Sequence, residues 1–146
     1  MRTTDDTIMK DKICLITGAT SGIGKATALQ LAQLGASVVM VGRNPQRTAT
    51  AVQEIRQQSG NGQVESMLAD LSSQSEIRKL ASEFQSSYQR LDVLVNNAGA
   101  LMLSRRLSTD GIEMTFALNH LNYFLLTHLL LDTLISSSPS RIVNVS

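Results

Sequence analysis

A single cysteine, Cys14, is the chain's whole supply of thiol, which excludes an internal disulfide and fits a reducing compartment. Its setting inside an apolar stretch makes it a buried structural thiol rather than a reactive one. Charge of one sign is equally scarce. Lys and Arg number 13 against 12 Asp and Glu, so no net field gathers nucleic acid or an anionic membrane, and neither is expected as a partner. A long apolar run is missing as well. Residues 121–135 are the greasiest stretch, but Asn122, Thr127, His128 and Asp132 break it, and it falls short of the roughly 18 residues that mark a membrane span. The opening MRTTDDTIMKDK has no apolar core of a signal peptide. These absences predict a cytoplasmic protein without a membrane span. There is no repeat, low-complexity tract or linker, and 146 residues suit one domain, here a polar arm over 1–11 followed by a domain over 12–146.

What is present is an alternation. Ile13 to Ile16 is a wholly apolar run ending in a glycine-rich turn, the pattern of a strand covered on both faces. A helix follows, with Ile23, Leu31 and Leu34 as its apolar stripe and Gly35 as its stop. Val38 to Val41 gives a second strand. Asn44 caps the next helix, Pro45 suits its first turn, and Ala49, Val52 and Ile55 form its stripe up to Gly60. Val64 to Ala69 is a weaker strand, as expected at a sheet edge. Ser73 and Glu76 make a capping-box pattern ahead of the stripe Ile77, Leu80, Ala81, Phe84 and Tyr88. Val93 to Val95 is the fourth strand. Asp110 and Glu113 mark the start of a long helix running towards Ile135, whose apolar residues point in every direction, so one face on a sheet cannot cover them all. RIVNVS, residues 141–146, reads as a buried fifth strand. Strands alternating with helices predict an α/β fold: a doubly wound parallel sheet of about five strands with helices on both faces.

The first strand runs into TGATSGIG, residues 17–24, where Gly18, Gly22 and Gly24 let a pyrophosphate approach the backbone amides and the positive end of the following helix. Such a turn at the first strand-helix junction of an alternating chain is where a dinucleotide is expected. About 20 residues past it an acid would bind the ribose 2′-hydroxyl of NAD. Gly42 and Arg43 stand there instead, with Arg47 nearby, so a 2′-phosphate and hence NADP(H) is preferred over NAD(H). Asp70, ending the third strand, can accept from the adenine amino group or serve the local turn. His120 and His128 lack metal-site spacing, and no metal is expected.

These residues resemble the short-chain dehydrogenases/reductases. TGATSGIG is similar to the family's TGxxxGxG loop, Asp70-Leu71 to its adenine-side Asp-Leu, and Asn96-Asn97-Ala98-Gly99 to its NNAG motif; the stretch from DGIEMTFALNH through SRIVNVS further resembles the retinol dehydrogenase-like branch. The resemblance covers the chain from about Lys12 onward and matches the amino-terminal part of the family's pattern. It implies a Rossmann-type fold, cut short after the fifth strand, with a cofactor held by Gly18, Thr20, Ser21, Gly22, Ile23, Gly24, Arg43, Asp70, Leu71, Asn97, Ala98 and Gly99. It also sets Asn96 against the adenosine side and makes Asn119 the helix asparagine that supports a proton relay. A buried amide bonded to neighbouring backbone is the rival reading of Asn119. The family's Tyr-x-x-x-Lys is absent: Asp92 follows Tyr88 by four residues and Thr127 follows Tyr123. Ser146 corresponds to the first of the two serines that usually follow this strand. Two readings result. One is the cofactor-binding portion of an NADP-dependent oxidoreductase that interconverts an alcohol and a carbonyl, inactive alone; the other is a short non-catalytic dinucleotide-binding or interaction module. A small-molecule alcohol or carbonyl is the implied substrate of the complete enzyme, and the apolar 111–135 helix suggests a homo-oligomer contact.

Overall fold

The computed structural model describes residues 8–146; the first seven residues of the polar arm lie outside it. Five parallel strands, β1 (Ile13–Thr17), β2 (Ser37–Gly42), β3 (Val64–Leu68), β4 (Val93–Asn96) and β5 (Arg141–Asn144), form one sheet in the order β3-β2-β1-β4-β5. The chain winds outward from β1 to β3, then restarts on the other side of β1 with β4. That reversal opens a crevice at the carboxyl ends of β1 and β4.

Strand alternation sends side chains to two cores. On one face Leu15, Val39, Val41 and Leu94 meet α3 (Gln74–Ser87), through Ile77, Leu80 and Phe84, and α5 (Asn122–Ser136), through Leu126, Leu130 and Leu134. On the other, Cys14, Ile16, Val38 and Met40 meet α1 (Gly22–Gln33) and α2 (Pro45–Ser59). Cys14 is wholly buried there, and burial, with the Asp92 charge adding to it, pushes its thiol up to about 12.

Several helix signals hold. Asn44 accepts from the Arg47 amide at 2.9 Å, Pro45 opens α2, and Gly60 closes it at φ 69°. Ser73 accepts from the Glu76 amide, but Glu76 reaches back to the Asp70 amide instead of completing the box on Ser73. Others are corrected. The buried edge of α1 is Gly24, Ala28 and Ala32, while Ile23 is 65% exposed; small side chains at every fourth position bring this helix close to the sheet, and larger ones there would hold it off. In α2 the exposed Ala49 is replaced on the buried side by Thr48 and Ala51.

The long helix begins later than expected, at Met114. Glu113 is its N-cap, accepting from the amides of Thr115 and Phe116, and Asp110 instead accepts from the Gln74 amide at the start of α3. After α4 (Met114–Phe116) the helix widens into a π turn over Ala117–Leu121 before continuing as α5. Its outer face stays uncovered, with Phe124 66% and Ile135 61% exposed. The fifth strand exists but is not buried: as an edge strand it leaves Ile142 and Val143, which point to opposite faces, both open to solvent.

Candidate functional site

The carboxyl ends of β1, β2, β3 and β4 surround a cleft of about 310 Å³. Its construction starts from Thr17, the last residue of β1. The buried Thr17 hydroxyl accepts from the amides of both Asn97 and Ala98 at 3.0 Å and donates to Val95 O at 3.4 Å, so one side chain ties the end of β1 to the turn after β4. Asn97 completes the tie, its Nδ2 donating to the carbonyls of Thr17 and Gly18 at 3.1 Å. Gly18 sits at φ 61°, and a Cβ on it would stand 2.7 Å from the Ala98 Cα. A Cβ on Gly24 would strike the Asn97 amide and the Gly18 carbonyl, and one on Gly42 would strike Thr48 and Thr20. Glycine is required at these three positions because backbone and side chains from three strand ends converge there.

Gly22 differs. Its φ is 55°, yet a Cβ there would meet nothing within 4 Å; the space beside it is open. It begins α1, and Ser21, the N-cap, makes no side-chain bond to the helix, whereas Asn44, Ser73 and Glu113 cap α2, α3 and α4. The first-turn amides of a 12-residue helix are left without side-chain acceptors, beside a loop whose glycines give close access. Free amides at the positive end of a helix dipole favour an anion.

Arg43 and Arg47 line the same cleft, with no carboxylate at the end of β2. Beside them, after the adjacent strand β3, stand Asp70 and Leu71. Asp70 Oδ1 accepts from the Ser72 amide at 3.0 Å and from its hydroxyl at 2.6 Å, so the local turn role is realised while the residue still borders the cleft. Of the predicted residues, Gly18, Thr20, Ser21, Arg43, Asp70, Leu71, Ala98 and Gly99 form walls of the cleft. Gly22, Ile23 and Gly24 belong to the start of α1 beside it, and Asn97 acts from behind the glycine loop.

Asn96 is corrected. It is fully buried and points away from the cleft, its Nδ2 donating to Thr127 Oγ1 at 3.0 Å and to Asn144 Oδ1 at 2.9 Å, so it joins β4 to α5 and β5 instead of facing a nucleotide. Asn119 lies in the π turn. Its Oδ1 accepts from Ala100 N at 2.8 Å and its Nδ2 donates to Ala100 O at 2.9 Å, which pins the segment after Gly99. Both ends of its amide are occupied by backbone, as in the rival reading, but the side chain is exposed and not buried. Thr17 and Gly42 carry structural duties that sequence reasoning left unassigned; their positions as the last residues of β1 and β2 are the signal that could have found them.

Neither tyrosine is set up to exchange a proton near neutrality. Burial pushes the Tyr88 phenol up, with its 2.6 Å hydrogen bond to Glu65 and that carboxylate's charge adding to the shift. Burial likewise raises Tyr123, whose hydroxyl donates to Val145 O at 3.1 Å. A general acid or base for carbonyl chemistry needs the opposite displacement. No cluster among the described residues could hold a metal ion, and no helix among them is long and apolar enough to cross a membrane.

Comparison with known proteins agrees with this geometry. The chain is 47% identical over 135 residues to human retinol dehydrogenase 11, covering 92% of this chain and 42% of that protein. It is 42% identical over 135 residues to human retinol dehydrogenase 13, covering 92% and 41%; the chain thus spans about two fifths of the length of these relatives. Its fold matches a protein of Escherichia coli CFT073, described as a short chain dehydrogenase and complexed with NADPH, at a TM-score of 0.79 and 28% identity over 94% of this chain and 59% of that one. A family model for short chain dehydrogenases matches residues 12–146. With the glycine loop, the switch-point cleft and the Asn-Asn-Ala-Gly turn in one continuous match, the chain belongs to the short-chain dehydrogenase family, on its retinol dehydrogenase-like side.

Proposed function

We propose that this chain is the cofactor-binding portion of an NADP(H)-dependent oxidoreductase that interconverts an alcohol and a carbonyl. The observation that carries the reading is the pairing, in one cleft, of the uncapped α1 N-terminus with Arg43 and Arg47. The α1 amides and the glycine loop hold the pyrophosphate, Arg43 with Arg47 pairs with the 2′-phosphate, and Asp70 and Leu71 flank the adenine. When bound, the nicotinamide supplies or accepts the hydride. Ala98 and Gly99, which line the cleft at the turn after β4, would flank the cofactor there, and Asn119 fixes that turn by holding Ala100. Neither phenol lines the cleft, and both are engaged elsewhere, Tyr88 with Glu65 and Tyr123 with Val145 O, so neither is placed to supply the accompanying proton. The NADPH in the E. coli structural neighbour supports the choice of cofactor class.

Titration of the purified chain with NADPH and NADH, followed by nicotinamide fluorescence, tests the reading. Arg43→Ala should weaken NADPH roughly 10- to 100-fold, the scale of a lost charge-assisted contact, and leave NADH nearly unchanged. Equal weakening of both would refute the phosphate role.

A further inference from the structure

Between β4 and α4 the chain makes an excursion that the cleft accounts for only in part. One end is fastened where Asn119 holds both backbone groups of Ala100. The other is fastened where Met114 N donates to Arg106 O at 2.9 Å and Leu107 bridges Glu113. Between these fastenings the side chains alternate. Met102 turns to the cleft, while Leu101 and Leu103 stand 80% and 98% exposed. The exposed Arg105 and Arg106 follow. Among the described residues neither arginine has an ion-pair partner. The nearest acids in sequence are engaged by backbone amides, Asp110 by Gln74 and Glu113 by Thr115 and Phe116, although Glu113 also feels the Arg105 charge.

Two exposed leucines, two residues apart on a loop fastened at both ends, need a destination. Next to two arginines, whose long apolar stems end in guanidinium groups, they have the chemistry of an interfacial anchor: tips that enter the acyl boundary and cations that stay with phosphates. We propose that residues 101–106 dock on an anionic lipid surface, with Leu101 and Leu103 in the headgroup region and Arg105 and Arg106 on lipid phosphates. A protein partner suits the loop less well, because a stable interface takes about 800 Å² from each side and a segment of six residues offers little of that. The balanced charge of the whole chain does not oppose the assignment. Screening confines the attraction to about 8 Å, the range over which these two cations act. The inference does not depend on what the cleft binds.

The experiment is co-sedimentation of the purified chain with vesicles of phosphatidylcholine alone or mixed with phosphatidylserine. The wild type should pellet with the mixed vesicles and be released by salt. Leu101→Ser with Leu103→Ser should lower the bound fraction on both vesicle types, about tenfold on the mixed ones, without shifting the melting temperature. Arg105→Gln with Arg106→Gln should remove only the preference for phosphatidylserine. Because α5 also exposes apolar side chains, Phe124→Ser with Ile135→Ser serves as the comparison. Absence of wild-type binding, binding unchanged in the loop variants, or binding lost in the α5 variant and retained in the loop variants would each overturn the proposal.

Discussion

Gly18 and Gly22 share a left-handed backbone, at φ 61° and 55°, and still differ in what they tolerate. Alanine at Gly18 adds a steric conflict with Ala98 to the left-handed penalty, so Gly18→Ala should cost about 2–4 kcal/mol of stability. Alanine at Gly22 meets no protein atom and should cost about 1 kcal/mol, while its methyl group intrudes where a phosphate would approach. Urea unfolding paired with NADPH titration separates the two: Gly18→Ala moves the unfolding midpoint most, and Gly22→Ala moves affinity most. At the other end of the sheet, Asp92 is buried between Ile13 N at 2.8 Å and the Arg90 guanidinium at 2.6 and 3.0 Å, with Lys12 at 3.7 Å. Burial alone would raise its pKa, but the Arg90 and Ile13 hydrogen bonds and the two cations outweigh it and leave the carboxyl below its ordinary value. A carboxyl depressed on folding gives stability that is complete above the unfolded value, about 3.9, and is lost as pH falls through the lower folded value. Asp92→Asn should therefore cost about 1–2 kcal/mol at pH 7 and progressively less in strong acid, as compared by denaturant midpoints. The sequence showed this residue only as an acid ahead of an apolar strand. Its partner Ile13 is distant along the chain, which no local pattern reveals.

Among the elements, the helix from Met114 to Ser136 shows where local signals run out. The stripe of α3 and the cap of α2 were legible because a cap or a periodic apolar face is written within a few residues. The π turn is not, since widening a helix by one residue per turn leaves no composition behind; it is nevertheless what presents Asn119 to Ala100. Asp110 was misplaced for a related reason: it has the spacing of a cap for the helix that follows, but its acceptor is used by Gln74, 36 residues earlier. The stripe of α1 was legible only in part: Leu31 packs against the core, but Ile23 faces solvent and the buried edge is Gly24, Ala28 and Ala32, small residues that an apolar period does not single out. If Asn119 fastens the segment after Gly99, Asn119→Ala should destabilise the fold by about 1–2 kcal/mol and speed amide exchange over residues 99–107 well beyond other regions. Exchange that rises uniformly would count against a local fastening.

For the molecule as a whole, the parallel sheet with helices on both faces and the position of the cleft followed from alternation and from the glycine turn, whereas the strand order β3-β2-β1-β4-β5 is written in no local pattern. The exposure of β5 and of the outer face of α5 could not be read from apolar sequence alone, since the same residues would be buried beneath a neighbour. The cleft gathers the residues proposed to hold a dinucleotide, and neither tyrosine lines it. The purified chain should accordingly bind NADPH yet give no turnover of retinal or simple aldehydes at any pH between 6 and 10; saturable turnover would mean that a proton donor other than a phenol operates here.

Cys14 turns this architecture into its own gauge. A lone thiol sealed in the central strand, with its proton held tightly, is invisible to a thiol-labelling reagent until the sheet itself comes apart. Labelling would then count openings of the whole domain with no engineered probe. Any compound that grips the closed form would retard the labelling by the factor its occupancy dictates, a direct scale for ranking ligands without measuring catalysis.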